Sequence, residues 1–78
     1  MNKKFSDKLI KLGLIIRDKR INLNLTQKEL ADMISIERKH VSLIENGRQN
    51  LTMDTLYKIS TALNTTIIDL LKEMDYED

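Results

Sequence analysis

The stretch LTQKELADMISIERKHVSLIENGR, residues 25–48, decides how this chain folds. It opens on Thr26-Gln27-Lys28-Glu29, a capping-box pattern. The Thr26 hydroxyl can accept from the Glu29 amide while the Glu29 carboxylate reaches back to the Thr26 amide. A helix that starts there carries Leu30, Ala31 and Ile34 at helical spacing. Ser35-Ile36-Glu37 then reads as a short turn, with Ile36 buried and Glu37 beside the next helix start. The following helix runs from about Arg38 to Glu45 and stops at Asn46-Gly47, where an Asn-Gly pair after a helical pattern is a helix stop and not a hairpin turn. Two helices joined by about three residues form a helix-turn-helix. Ala31 stands where two steeply crossing helices meet, and a large side chain there would hold them apart.

Three more helices are expected on either side of this stretch. Ser6 is the candidate N-cap of the first, with Asp7 in its first turn, where the helix dipole favours an acid. Leu9, Leu12 and Ile16 recur at helical spacing to about Ile21. Ile10, Leu14 and Ile15 widen the apolar surface, which implies either deep burial or a second contact. Asn22-Leu23-Asn24 ends this helix, since Asn is the residue after Gly best suited to a left-handed backbone. Thr52 caps a fourth helix carrying Leu56, Ile59, Ala62 and Leu63, and Asn64 ends it. Thr66-Ile67-Ile68-Asp69 starts a fifth, with Ile67, Leu70, Leu71 and Met74. The acidic tail Asp75-Tyr76-Glu77-Asp78 is expected to fray. Neither linker nor repeat interrupts the 78 residues, so residues 1–78 read as one all-α domain. The absence of Pro, two Gly and three aromatic residues agree with helices and short turns.

Composition removes several functions. There is no cysteine, so disulfides and thiolate metal sites are excluded. His40 is the single histidine, and no carboxylates are spaced to complete a metal site around it. No nucleophile–base pair, carboxylate dyad or glycine-rich phosphate loop is visible, so the chain is not expected to be an enzyme, and no cofactor is expected. Nothing resembles a signal peptide or a membrane span, and a cytoplasmic location is expected. The net charge is only +1, but residues 1–50 carry eleven Lys/Arg against six Asp/Glu, and residues 51–78 carry two against six. A basic half beside an acidic half implies one face for a polyanion and one kept away from it. On the third helix Glu37, Arg38, Lys39, His40 and Leu43 face away from the apolar positions. In a helix-turn-helix the first turn of this helix meets base edges in the major groove.

Leu25-Thr26-Gln27-Lys28-Glu29-Leu30-Ala31, then Ile36, then Val41-Ser42-Leu43-Ile44-Glu45-Asn46-Gly47-Arg48, resemble the Cro/C1-type (XRE-like) helix-turn-helix family. The resemblance runs from about Ile16 to Leu71. The short chain, the Gln49-Asn50-Leu51-Thr52 junction and the long first helix look most like a restriction–modification controller protein. The resemblance implies a five-helix, lambda-repressor-like DNA-binding domain and assigns roles. Gln27 sits where the family contacts a phosphate and braces the recognition helix. Arg38 and Lys39 occupy base-reading positions, where Arg can bond bidentately to guanine. His40 can touch a phosphate or a base, or stand by. Leu43 can pack on a thymine methyl or face the next helix. Glu37 can accept from a cytosine amino group, or cap the helix and repel phosphate. Asn46, the amide of Gly47, Arg48 and Gln49 lie where the family grips the DNA backbone. Arg20 and Glu45 sit where it forms a buried structural ion pair, and Ser42 is small at a tight position.

The resemblance also implies a homodimer, with Leu51, Met53, Ile68, Leu71 and Met74 as interface candidates and the last helix as the dimerisation helix. Such a dimer reads a palindromic operator on double-stranded DNA and regulates transcription, as repressor or activator, including that of its own operon. RNA polymerase is a further candidate partner, while no membrane and no small-molecule ligand are expected. The alternative is an antitoxin or phage-type repressor that also binds a partner protein.

Overall fold

The computed structural model describes residues 3–75. The acidic end Tyr76-Glu77-Asp78 lies outside them. Five helices follow one another: α1 (Lys3–Asn22), α2 (Gln27–Met33), α3 (Arg38–Glu45), α4 (Met53–Ala62) and α5 (Ile67–Asp75). All the regular elements of the described residues are helical. None of these helices is long and apolar enough to cross a membrane.

The starts of α2, α4 and α5 follow the capping chemistry of the sequence. Thr26 Oγ1 accepts from the Glu29 amide at 3.0 Å, and Glu29 Oε1 accepts from the Thr26 amide at 2.9 Å. The Thr52 and Thr66 hydroxyls accept from the amides of Thr55 and Asp69, each at 3.1 Å. The start of α1 differs from expectation. It reaches back to Lys3, so Ser6 lies inside the helix and does not cap it. Neither Pro nor Gly separates Lys3 from Leu12, so nothing in the backbone stops the helix at Ser6.

Four helices end in the same way. Asn24, Ser35, Gly47 and Asn64 each adopt a left-handed backbone, with φ of 59°, 60°, 70° and 58°. At each corner two amides fold back on the helix end. Leu25 N donates to Arg20 O and Asn24 N to Ile21 O, and the same pairs recur as Ile36–Ala31 with Ser35–Asp32, Arg48–Leu43 with Gly47–Ile44, and Thr65–Ser60 with Asn64–Thr61. This is the Schellman arrangement, which satisfies carbonyls that a helix end leaves orphaned. The two asparagines were legible as stops. Ser35 was not, because serine has no strong preference for this region.

Every helix contributes to one core. Ile16, Leu30, Ala31, Val41, Ile59 and Leu70 are almost wholly buried, with Leu12, Ile34, Ile44, Leu56 and Leu63 around them. Ile36, expected to be buried, is half-buried and packs against this cluster from the turn. Ile10 and Leu14 stay nearly half exposed on α1, while Ile15 packs partly against the core. The excess apolar surface of α1 is therefore surface on offer, not deep burial.

Candidate nucleic-acid interface

α2 and α3, with residues 34–37 between them, form the helix-turn-helix. The inner face of α3 carries Val41, Ile44 and Glu45, all buried, so the helix is held along its length. Arg38, Lys39 and Leu43 stay exposed on the other side. α1 passes very close to the end of α3. A Cβ added at Gly13 would lie 2.4 Å from the Ile44 carbonyl oxygen and 2.6 Å from that of Glu45. Gly13 is thus a packing requirement, and no pattern within α1 announced it.

The expected ion pair is present and buried. Arg20 Nε donates to Glu45 Oε2 at 2.6 Å and Arg20 Nη2 to Glu45 Oε1 at 3.0 Å. A third donor, Arg20 Nη1, reaches the Leu25 carbonyl at 2.6 Å. Hydrogen bonding to Glu45 raises the Arg20 pKa above its ordinary value; burial works against this, and charge attraction to Glu45 adds to it.

Gln27 extends the pair outward. Its Nε2 donates to Glu45 Oε1 at 3.1 Å, and its Oε1 accepts from Arg38 Nη1 at 3.2 Å. A carboxylate only accepts and a guanidinium only donates, so these partners fix which way the amide points. Arg38, at the first position of α3, is therefore tied through one side chain to the ion pair that fastens α3 to α1. The bracing role expected of Gln27 has a concrete form here; that its target would be Arg38 was not readable from spacing.

The other residues gather around this line. Glu37 is the N-cap residue of α3, but its side chain makes no capping bond and instead stands 3.9 Å from Lys39 Nζ and 4.0 Å from His40 Nε2. His40 is half-buried, and its Nδ1 lies 3.1 Å from Gln49 Oε1, so these two side chains hold each other. Leu43 points outward and is 38% exposed. Asn46 Nδ2 donates to the Ser42 carbonyl at 2.8 Å. Gly47 is doubly constrained: besides its left-handed backbone, a Cβ there would meet Ile10 Cα at 2.5 Å. Arg48 is exposed beside it. Among the described residues no group of three His, Asp or Glu could hold a metal ion.

The expected dimer residues divide. Leu51 and Met74 pack partly against the core. Met53 and Ile68 are about two-thirds exposed, and Leu71 is half-buried. Tyr57, which is not among the expected interface residues, is 62% exposed. It follows Met53 by four residues on α4 and lines a groove with Ile67 and Ile68 of α5.

The comparisons with known proteins agree with this architecture. The pattern of the helix-turn-helix family matches residues 16–70, and the chain belongs to that family of DNA-binding regulators, in its Cro/C1-type branch. More particularly, it is similar to restriction–modification control proteins. It is 32% identical to the control protein C.MunI of a Mycoplasma species over 74 residues, covering 95% of this chain and 92% of that one. The structure of the restriction-modification controller protein C.AhdI from Aeromonas hydrophila matches with a TM-score of 0.77 at 31% identity, over 80% of this chain and 94% of that one. The clp gene regulator ClgR from Corynebacterium glutamicum matches with a TM-score of 0.85 at 26% identity, over 90% of this chain and 74% of that one.

Proposed function

We propose that this protein is a homodimeric, sequence-specific transcription regulator that binds a palindromic operator and autoregulates its own operon as the controller of a restriction–modification system. The observation that carries the reading is the outward-facing Arg38, seated by Gln27 on the buried Arg20–Glu45 pair. A guanidinium preorganised at the start of α3 suits bidentate bonding to guanine O6 and N7. Lys39 reads bases beside it, Leu43 offers apolar contact to a thymine methyl, and Glu37 and His40 flank them. Gln27, Asn46, the Gly47 amide, Arg48 and Gln49 hold the phosphate backbone on either side. The controller assignment is supported by similarity to C.MunI along nearly the full length of both chains.

Dimerisation uses the exposed apolar surface of α4 and α5, with Met53, Tyr57 and Ile68 at its centre and Leu71 beside them. A two-fold dimer presents two copies of α3 to half-sites about 34 Å apart, hence the palindrome. Regulation then follows protein concentration and the occupancy of adjacent operators. The test is footprinting on the DNA upstream of the gene, with Ile68→Asp as the companion variant. A symmetric protected site, weakened when Ile68→Asp shifts the protein toward monomer in sedimentation, supports the reading. Absence of protection at low salt, or an undiminished footprint from a monomer, overturns it.

A further inference from the structure

A polar cleft of about 330 Å³ opens beside the helix-turn-helix, lined by Leu14, Arg17, Arg20, Gln27, Glu45 and Asn46. It is continuous with the proposed DNA-binding surface, because Gln27 is bonded to Arg38 and Asn46 terminates α3. Its hydrogen-bonding balance favours donors. Glu45, the one carboxylate in the lining, has both oxygens engaged by Arg20 and Gln27. Gln27 and Asn46 each use one amide N–H internally and have a second left. Arg17 is exposed and has no hydrogen-bond or ion-pair partner among the described residues. The cleft thus holds several spare donors and a free cation against one spare acceptor, Asn46 Oδ1, and its carboxylate is already neutralised by Arg20. A group that only accepts hydrogen bonds and carries negative charge complements it.

We infer that Arg17, with the free N–H groups of Gln27 and Asn46, clasps a phosphodiester of the bound DNA, so that α1 forms part of the nucleic-acid interface and is not only scaffold. This rests on the DNA-binding reading above and adds to it a contact on a helix that the helix-turn-helix motif does not include. The contact carries charge and no base information, so it strengthens binding to any duplex equally.

The test is fluorescence anisotropy with a mixed-sequence DNA duplex between 50 and 200 mM salt, conditions over which phosphate contacts dominate. Each phosphate contact contributes about 0.9 to the slope of log K against log salt. For each bound protomer, Arg17→Ala is expected to flatten that slope by about 0.9 and to weaken binding about eightfold near 0.1 M salt. Arg17→Gln, which keeps a polar side chain and its amide donors but loses the charge, should repeat the loss, and Arg17→Lys should restore the slope. Lys72→Ala, which removes an exposed cation on α5, should leave it unchanged. An unchanged slope in Arg17→Ala and Arg17→Gln overturns the contact alone, and so does an equal loss in Lys72→Ala, which would mean diffuse charge attraction. A wild-type protein that does not bind the duplex overturns the contact together with the reading beneath it.

Discussion

Arg20 on α1 and Glu45, the last residue of α3, are joined by two parallel hydrogen bonds, and the side chains are only 10% and 2% exposed. Removing one partner strands the other charge away from water. Arg20→Ala and Glu45→Ala are each expected to cost about 3–5 kcal/mol in urea unfolding, and the double variant clearly less than their sum. Additive losses would show that the two groups act independently. Because the Arg20 pKa is raised, the stability it contributes is present below the ordinary arginine value and lost only as pH climbs through the raised one. Titration through the lysine range should therefore leave the pair intact.

Gly13→Ala reverses the usual rule. Inside an exposed helix, alanine in place of glycine gains about 1 kcal/mol. Here the new methyl would press on the Ile44 and Glu45 carbonyls, main-chain atoms that move only if α1 and α3 separate. A loss of about 1–3 kcal/mol is expected, the range for overpacking, together with weaker operator binding. A raised melting temperature would contradict the close approach.

Ser35→Gly should do the opposite. Serine at φ 60° holds a conformation that disfavours a side chain by about 1–2 kcal/mol. Glycine relieves that and gives back part through its looser unfolded chain. A net gain of about 0.5–1 kcal/mol in stability is expected from thermal melting. Ser35→Val should be destabilising, and stability unaffected by either change would mean the corner does not constrain the turn.

Arg38→Ala is expected to lose about 1–3 kcal/mol on the operator while binding to unrelated duplex changes far less. Gln27→Ala should show part of the same loss of discrimination, since it frees the Arg38 guanidinium from its seat. If Arg38→Ala weakens both duplexes equally, Arg38 is a phosphate contact.

The features legible in the sequence were those written locally or by a short recurring pattern. Thr26 with Glu29, Thr52, and the stops at Asn24, Gly47 and Asn64 depend on residues a few positions apart, and all appear as expected. The Arg20–Glu45 pair, 25 residues apart, was readable only through resemblance to a family. Gly13 was missed because its constraint comes from carbonyls on another helix. Tyr57 was missed because exposure depends on how α4 and α5 meet. Ser6 misled because a capping preference of order 1 kcal/mol does not end a helix that has no breaker before it.

The four left-handed corners have a wider consequence. Each bend is made by main-chain amides closing on main-chain carbonyls, so the corners on either side of α3 form without any bond from the side chains at Arg38, Lys39 and Leu43. Those positions behave like type set in a fixed frame: the letters can be exchanged while the page stays where it was. On the proposed reading, a lineage built on this frame takes up a new operator through a few substitutions without refolding, which is one route by which sequences so far apart come to share a shape.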